Sequence, residues 1–527
     1  MPFLNLLLQP FKKNISLTIF LFFIITCIDI YDLINRNCFS YLIYMLFHGY
    51  VISYILCLIY TFLHKKIKPL YIIITTCFIL FFNLADFFCL TVYHQRFSQK
   101  FAIIIMQTNF NEAKEFIETY IPLKYYLYIF YILSTFSLIF FTLKRIMPNK
   151  KKFANWGIFL VFVGILMTIR NPMIIKDGLI GKIITTFSIP TIPDLRNHLT
   201  YPDIIFTRNK QPQNVIMIIG ESFSKSHSSL YNYKKTTNPL LSSLVSDSTL
   251  FVFNNVKSPS TGTASSFQAF MGTYKTEYQD SIPWYSCTTI PEILQNSNYY
   301  TYWISNQSKI GLYDTVVGKY ADLCNKQFFV GDKYAGGDRF DYDESLIPII
   351  ETVISNQTKA NKFFFIHLMG SHTKFEERYP KHFQKYTPSD YTNYPEHQRQ
   401  NLAAYDNSIL YNDSVVYEII KLFHKQQSII IYFSDHAIDV YESDSNFIGH
   451  ARGNDLHSVY FGSNIPFMIY TSPSYKTEFP EIMKHIQSNL NTHYNTDDII
   501  YTIMDIIGVQ IKFEINNEKS ILNLSNP

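Results

Sequence analysis

Nearly all the long apolar runs of this 527-residue chain fall in its first 170 residues. That imbalance divides it into a membrane part and a water-soluble part. A membrane-spanning helix needs about 20 mainly apolar residues. Five stretches approach that length, 15–34, 41–63, 71–92, 125–143 and 153–169, the last being the shortest. Orientation follows from the basic residues, which are retained on the cytoplasmic side. Lys12 and Lys13 precede the first stretch; Lys65, Lys66 and Lys68 follow the second; Lys144, Arg145, Lys150, Lys151 and Lys152 follow the fourth. These three sets share a side, so five spans starting inside place everything after residue 169 outside. The first stretch is too long, and followed by too many others, to be a cleavable signal peptide.

The connection from about residue 93 to 123 also falls outside and exceeds a simple turn. Thr108 and Glu112 in it are four apart and would share one helical face. A solvated amphipathic helix lying on the membrane is the simpler account of that spacing; the position above the bilayer keeps a substrate site open as the alternative. Residues 171–213 read as a linker and amphipathic connection, leaving 214–527 as the outer globular domain. The formal net charge of +4 is small and no basic stripe with interleaved aromatics appears, which excludes nucleic acid as a partner. Five of the seven cysteines lie in or beside the apolar runs, where a thiol behaves as a small hydrophobe. Cys287 and Cys324 remain, and one disulfide between them is left open by spacing alone.

In the outer domain one design recurs three times. Unbroken apolar runs at 214–219, 362–368 and 428–433 read as buried parallel strands. They end in Gly220-Glu221-Ser222, Gly370-Ser371-His372 and Ser434-Asp435-His436. Ligands bind at the carboxyl ends of strands in open α/β sheets. Three such strands side by side would gather Glu221, His372, Asp435 and His436, whose oxygens and imidazole nitrogens suit zinc. His450 is placed to join them. Any one of these residues alone reads more simply as a cap or a satisfied core group; the repetition makes a metal site. Between the first two strands lies a hydroxyl-rich segment, 258–266, containing Thr263. It is either a loop capping a helix or a nucleophile at a helix N-terminus, where the backbone favours phosphate. A threonine hydroxyl needs a metal to become nucleophilic at neutral pH.

At these motifs the sequence resembles the phosphoethanolamine transferases of Gram-negative bacteria. They belong to the alkaline phosphatase and sulfatase superfamily and include the mobile colistin resistance enzymes. The likeness runs through the five spans, the Gln107-Thr108 loop, 215–221, Thr263-Ala264, 367–372 with Arg378-Tyr379-Pro380, and 434–436 on to His450. The resemblance implies an inner-membrane protein with five helical spans and a periplasmic sulfatase-like α/β domain built on a mainly parallel sheet. It implies zinc held by Glu221, Thr263, Asp435 and His436. His372 and His450 would stabilise charge, supply a general acid or complete a second metal site. Thr263 would attack phosphatidylethanolamine, releasing diacylglycerol, and the phosphoethanolamine would pass to a sugar of lipopolysaccharide. Thr108 and Glu112 would lie by the substrate, and Asn306 and Lys309 near its headgroup.

Some positions depart from the family. Lipid A-modifying members carry a disulfide that brackets the nucleophile, where this chain has Pro259 and Ala269. The stretch 440–450 is more similar to members acting on core sugars, so a core heptose is the expected acceptor, with lipid A second. Ala437 stands where relatives commonly have glycine and would be strained if the backbone there had positive φ. Competing readings are a glycerophosphate transferase of the lipoteichoic acid synthase type, which the 367–380 run argues against, and a non-catalytic membrane scaffold. A sulfatase activity would need a Cys or Ser followed by Pro and Arg, a pattern that Ser258-Pro259-Ser260 lacks.

Overall fold

The structure, a computed structural model, describes residues 2–35, 38–93, 95–98, 101–102, 154–187, 193–275, 282–309, 316–330, 341–355, 361–452, 455–512 and 519–523, with residues 134, 138 and 142. One compact unit is drawn from the first 190 residues and a second runs from residue 191 onward.

In the first unit, helices α1 (Ile15–Asn35), α2 (Phe39–Phe62) and α3 (Lys68–Val92) are long and apolar enough to cross a membrane. They coincide with the first three expected spans. Helix α4 (Ala154–Arg170) covers the fifth expected span but has only 17 residues. The fourth, 125–143, lies outside the described residues apart from three isolated positions. Three membrane-length helices, not five, are therefore observed among the described residues. Acidic groups on α1 and α3 are paired inside the unit, as charges in a low-dielectric setting must be. Arg96 bridges Asp29 at 2.6 Å and Asp32 at 2.7 Å, and Lys182 of helix α5 (Leu179–Phe187) meets Asp86 at 2.5 Å.

The second unit is built on a seven-stranded sheet. Its strands are β1 (Asn214–Gly220), β2 (Leu250–Val252), β3 (Tyr299–Ser305), β4 (Lys326–Phe329), β5 (Asn361–His367), β6 (Ser428–Ser434) and β7 (Phe467–Thr471). Their order is β2-β7-β6-β1-β5-β3-β4. Neighbours from β6 to β4 run parallel, while β7 is antiparallel to β6 and to β2. The sheet is thus mixed at one edge. The three runs singled out in the sequence are β1, β5 and β6, adjacent at the centre.

Alternate side chains of these strands enter opposite layers, as the two-residue period of a strand requires. Val215, Met217 and Ile219 pack with Phe363, Phe365, Ile429 and Ile431 in one core; Ile216 and Ile218 pack with Phe364, Ile366, Ile430 and Tyr432 in the other. Burying each such side chain contributes about 1.5–3 kcal/mol, which explains why the central strands are apolar on both faces. Helix α6 (Thr263–Phe270) seals the first core with Phe267 and Phe270. Helix α7 (Glu396–Phe423) covers the second with Leu402, Tyr405, Ile409, Val416 and Ile420. Within 171–213, strand Ile204–Phe206 pairs with Val509–Ile511 near the end of the chain.

Cys287 and Cys324 do not form the disulfide left open above. Each sulfur instead faces a carbonyl of its own turn, Pro283 at 3.8 Å and Tyr320 at 4.0 Å.

Candidate metal centre

Parallel register aligns Gly220 of β1 with Ser434 of β6, so Glu221 and Asp435 leave the sheet side by side. β5 aligns Ile219 with His367, and its exit wraps Glu221: Ser371 N donates to the Glu221 carbonyl at 3.0 Å. That wrap depends on Gly370, whose φ of +54° favours glycine and where a Cβ would lie 2.7 Å from the Glu221 carbonyl oxygen.

Glu221, Asp435 and His436 are all buried, each offering a ligand atom within 4.8 Å of the others. Thr263, the first residue of α6, brings Oγ1 to 3.2 Å from Glu221 Oε2, to which it donates, and to 3.2 Å from His436 Nε2. His436 Nδ1 donates to the Ala437 carbonyl at 2.9 Å. In a neutral ring this leaves the Nε2 lone pair directed at Glu221 Oε1 (3.2 Å) and Asp435 Oδ2 (3.5 Å). Asp435 Oδ2 is buried with no donor in hydrogen-bonding geometry. Two carboxylates, an imidazole lone pair and a hydroxyl converging on one buried point fit a divalent cation of zinc type.

The electrostatics describe the same tension. Burial and the adjacent Glu221 push Asp435 up to about 8. Burial opposes charge on His436 as well, but Asp435 and Glu221 outweigh it and raise its pKa to about 9. Burial would also raise Glu221; the His436 charge prevails and holds it well below the usual range.

His450 packs edge-on against His436 with ring centroids 4.6 Å apart. Its pKa falls to about 3 through burial and then through His436, so the ring is neutral, and its Nδ1 has no hydrogen-bond partner. Helix Leu456–Ser463 fixes its backbone: a Cβ on Gly462 would collide with the His450 carbonyl. His372 is half-buried, with Nδ1 3.4 Å from Thr373 Oγ1, and is near enough to influence the titration of Glu221 and His450.

The remaining candidates lie elsewhere. Asn306 is 2% exposed and donates to Asp343 Oδ1 at 2.8 Å, while Asp343 accepts from Met369 N and Gly370 N. It supports the β5 exit. Lys309 is engaged with Asp322 at 2.6 Å and Gln327 at 2.8 Å. Thr108 and Glu112 lie outside the described residues. Sequence reasoning missed Gln307, whose Nε2 donates to the Leu368 carbonyl at 3.0 Å and Glu221 Oε2 at 3.3 Å. Its one signal was its place just beyond a strand end.

Ala437 is not among the residues with positive φ, so the expected strain is absent; its N donates to Gly462 O at 2.9 Å. The segment bearing Thr263 is held by Ser258 N on Ser463 O at 2.9 Å, by Ser260 and Ser265 hydroxyls 2.5 Å apart, and by buried Phe267 and Phe270.

A helix whose first residue sets a hydroxyl beside metal-type ligands, at the carboxyl ends of a mixed α/β sheet, defines the class. The family model described as Sulfatase matches residues 213–509, and the chain belongs to that family. It is homologous to bacterial phosphoethanolamine transferases. Phosphoethanolamine transferase EptC of Escherichia coli K12 is 25% identical over 450 residues, 79% of this chain and 76% of that protein. Phosphoethanolamine transferase EptA of Helicobacter pylori is 26% identical over 318 residues, 59% and 56% of the two chains. Among solved structures, the periplasmic domain of E. coli EptC in complex with Zn superposes with a TM-score of 0.56 at 24% identity, covering 62% of this chain and 91% of that one. The integral membrane lipooligosaccharide phosphoethanolamine transferase A of Neisseria meningitidis matches with a TM-score of 0.67 at 16% identity, covering 99% and 98%. Both likenesses concern the fold.

Proposed function

We propose that this protein transfers phosphoethanolamine from phosphatidylethanolamine to a sugar of lipopolysaccharide, with a core heptose favoured over lipid A. Five spans would anchor it in the bacterial inner membrane with the catalytic unit in the periplasm. The observation that carries the reading is the placement of Thr263 Oγ1 at 3.2 Å from both Glu221 Oε2 and His436 Nε2.

Glu221, Asp435, His436 and Thr263 would hold one zinc ion. When bound, zinc lowers the pKa of a coordinated hydroxyl and offsets charge on the phosphoryl oxygens. In the first displacement the Thr263 oxygen bonds to phosphorus as the bond to the diacylglycerol oxygen breaks. The hydroxyl proton leaves towards Glu221 Oε2, which already accepts it in a hydrogen bond. The departing alkoxide takes a proton from His372 or a water that it orients. Neutral His450, beside His436, offers a hydrogen bond to a phosphoryl oxygen without adding charge. In the second displacement a sugar hydroxyl attacks the phosphorus and gives its proton to His372 or the water that it orients, while the bond to Thr263 breaks and its oxygen takes back the proton held at Glu221. Thr108 and Glu112 are proposed headgroup contacts, whereas Asn306 and Lys309 would act through the loops that they brace.

Mass spectrometry of lipopolysaccharide from cells expressing the protein, with core and lipid A separated, tests the reading. A phosphoethanolamine adduct on the core is expected. A glycerophosphate adduct, or none, would refute it.

A further inference from the structure

A buried ion pair outside the metal site links the two segments that leave it. His227 is 5% exposed; its Nδ1 is hydrogen-bonded to Asp406 Oδ1 at 2.6 Å, and its Nε2 lies 3.3 Å from Glu442 Oε1, an ion-pair contact outside hydrogen-bonding geometry. Two carboxylates at these distances favour the ring that carries a proton on both nitrogens. Burial disfavours that charge, but Asp406 and Glu442 outweigh it and lift the pKa to about 10. Asp406, on α7, also accepts from Tyr233 at 2.7 Å and from Tyr391. Tyr405 of the same helix packs edge-on against His227 and ties down its segment, accepting from Ser224 N and donating to Ser222 O, both at 2.8 Å.

His227 lies six residues beyond Glu221, and Glu442 six beyond His436. From Glu442 the bonding continues towards His450. Glu442 Oε2 accepts from Val440 N, and Glu442 N donates to Asp439 Oδ1 at 2.9 Å. Asp439 Oδ2 accepts from Ser458 Oγ at 3.3 Å, and Ser458 Oγ accepts from Arg452 N at 2.9 Å. The ribbon between, Asp439–Val440 paired with Ile448–Gly449, delivers His450 directly. Tyr441 at its turn has φ of 70°, a conformation that costs a non-glycine residue about 1–3 kcal/mol and persists only under outside constraint.

We infer that His227 is a positioning residue: its charged contact with Glu442 fastens the segment leaving the Glu221 strand to the segment leaving the His436 strand, and so seats His450 against His436. The effect on turnover rests on the proposed transfer reaction; the seating does not.

The test uses the full-length, zinc-loaded protein in detergent with His227→Gln, Glu442→Gln, His450→Ala and the double variant His227→Gln/His450→Ala. Glu442→Gln leaves the His227 contact with Asp406 in place, which guards against a variant that fails to fold. Amide hydrogen exchange across 439–452 is expected to rise about tenfold in both Gln variants, with β1 and β6 unchanged. His227→Gln is expected to lower kcat about tenfold with KM for the lipid donor unchanged, and to cause no further loss when His450 is already Ala. Unchanged exchange, loosening that extends to β1 and β6, or losses that multiply in the double variant would overturn the inference. A wild-type protein without transfer activity would refute the functional reading alone, and the exchange measurement would still decide the clamp.

Discussion

Thr263 Oγ1 lies 3.2 Å from Glu221 Oε2, although one residue opens a helix and the other follows directly on a strand. The contact brings a hydroxyl next to a carboxylate that is itself oriented by Ser222 Oγ at 2.6 Å and Gln307 Nε2 at 3.3 Å. The Glu221 carboxylate is held from turning away, which is what the proposed role of Thr263 as a nucleophile over a cation requires.

Removing the hydroxyl should stop the reaction and leave the fold. Thr263→Ala is expected to lower transfer by roughly 10³-fold or more, with bound zinc and the unfolding temperature little changed, while Thr263→Ser should retain part of the rate. Single-turnover transfer together with metal analysis checks this. Unchanged transfer would rule out Thr263 as nucleophile.

Gln307 touches Glu221, a proposed zinc ligand, and is not one itself. Gln307→Ala should weaken zinc binding by roughly 10–100-fold, the usual effect of losing a group that orients a metal ligand. Competition titration with a chromophoric chelator would measure it, and wild-type affinity would show that Glu221 is held without this contact.

Gly370→Ala puts a Cβ 2.7 Å from the Glu221 carbonyl oxygen at a residue with φ of +54°. A loss of about 1–3 kcal/mol in stability is expected, together with reduced zinc content because the displaced neighbour is a proposed ligand. Denaturant unfolding of the full chain is the check; a wild-type midpoint would mean that the β5 exit accommodates the methyl group.

The His227 pair sets a pH dependence. Its folded pKa of about 10 exceeds the unfolded value of 6.5. The stabilisation is therefore fully present below pH 6.5 and is lost as pH rises through 10. The stability gap between wild type and His227→Gln should be constant below pH 6.5 and shrink above it. A gap that widened with pH would contradict the charged pair.

Much of this was legible in sequence because β1, β5 and β6 are buried on both faces. That burial forces unbroken apolar runs, and the residue types that end them, Glu221, His372 and Asp435-His436, stand out against those runs. Helical membrane segments announce themselves by length in the same way, and three of the five expected do so among the described residues. Contacts between distant, unpatterned residues left no such trace. Gln307 on Glu221, and His227 on Asp406 and Glu442, are set by tertiary packing and not by local periodicity. Asn306 was expected near a headgroup only from the resemblance of the 303–309 stretch to the family, and no sequence pattern announced that its amide braces Asp343. The Cys287 and Cys324 pairing also turned on approach in space, which spacing along the chain does not encode.

The most direct measurement is peptide mapping by mass spectrometry of the zinc-loaded, full-length protein after incubation with phosphatidylethanolamine and no acceptor. The expected result is phosphoethanolamine on the peptide containing Thr263, absent from Thr263→Ala. Label on another residue, or turnover with acceptor but no covalent adduct under any quench, would contradict the mechanism.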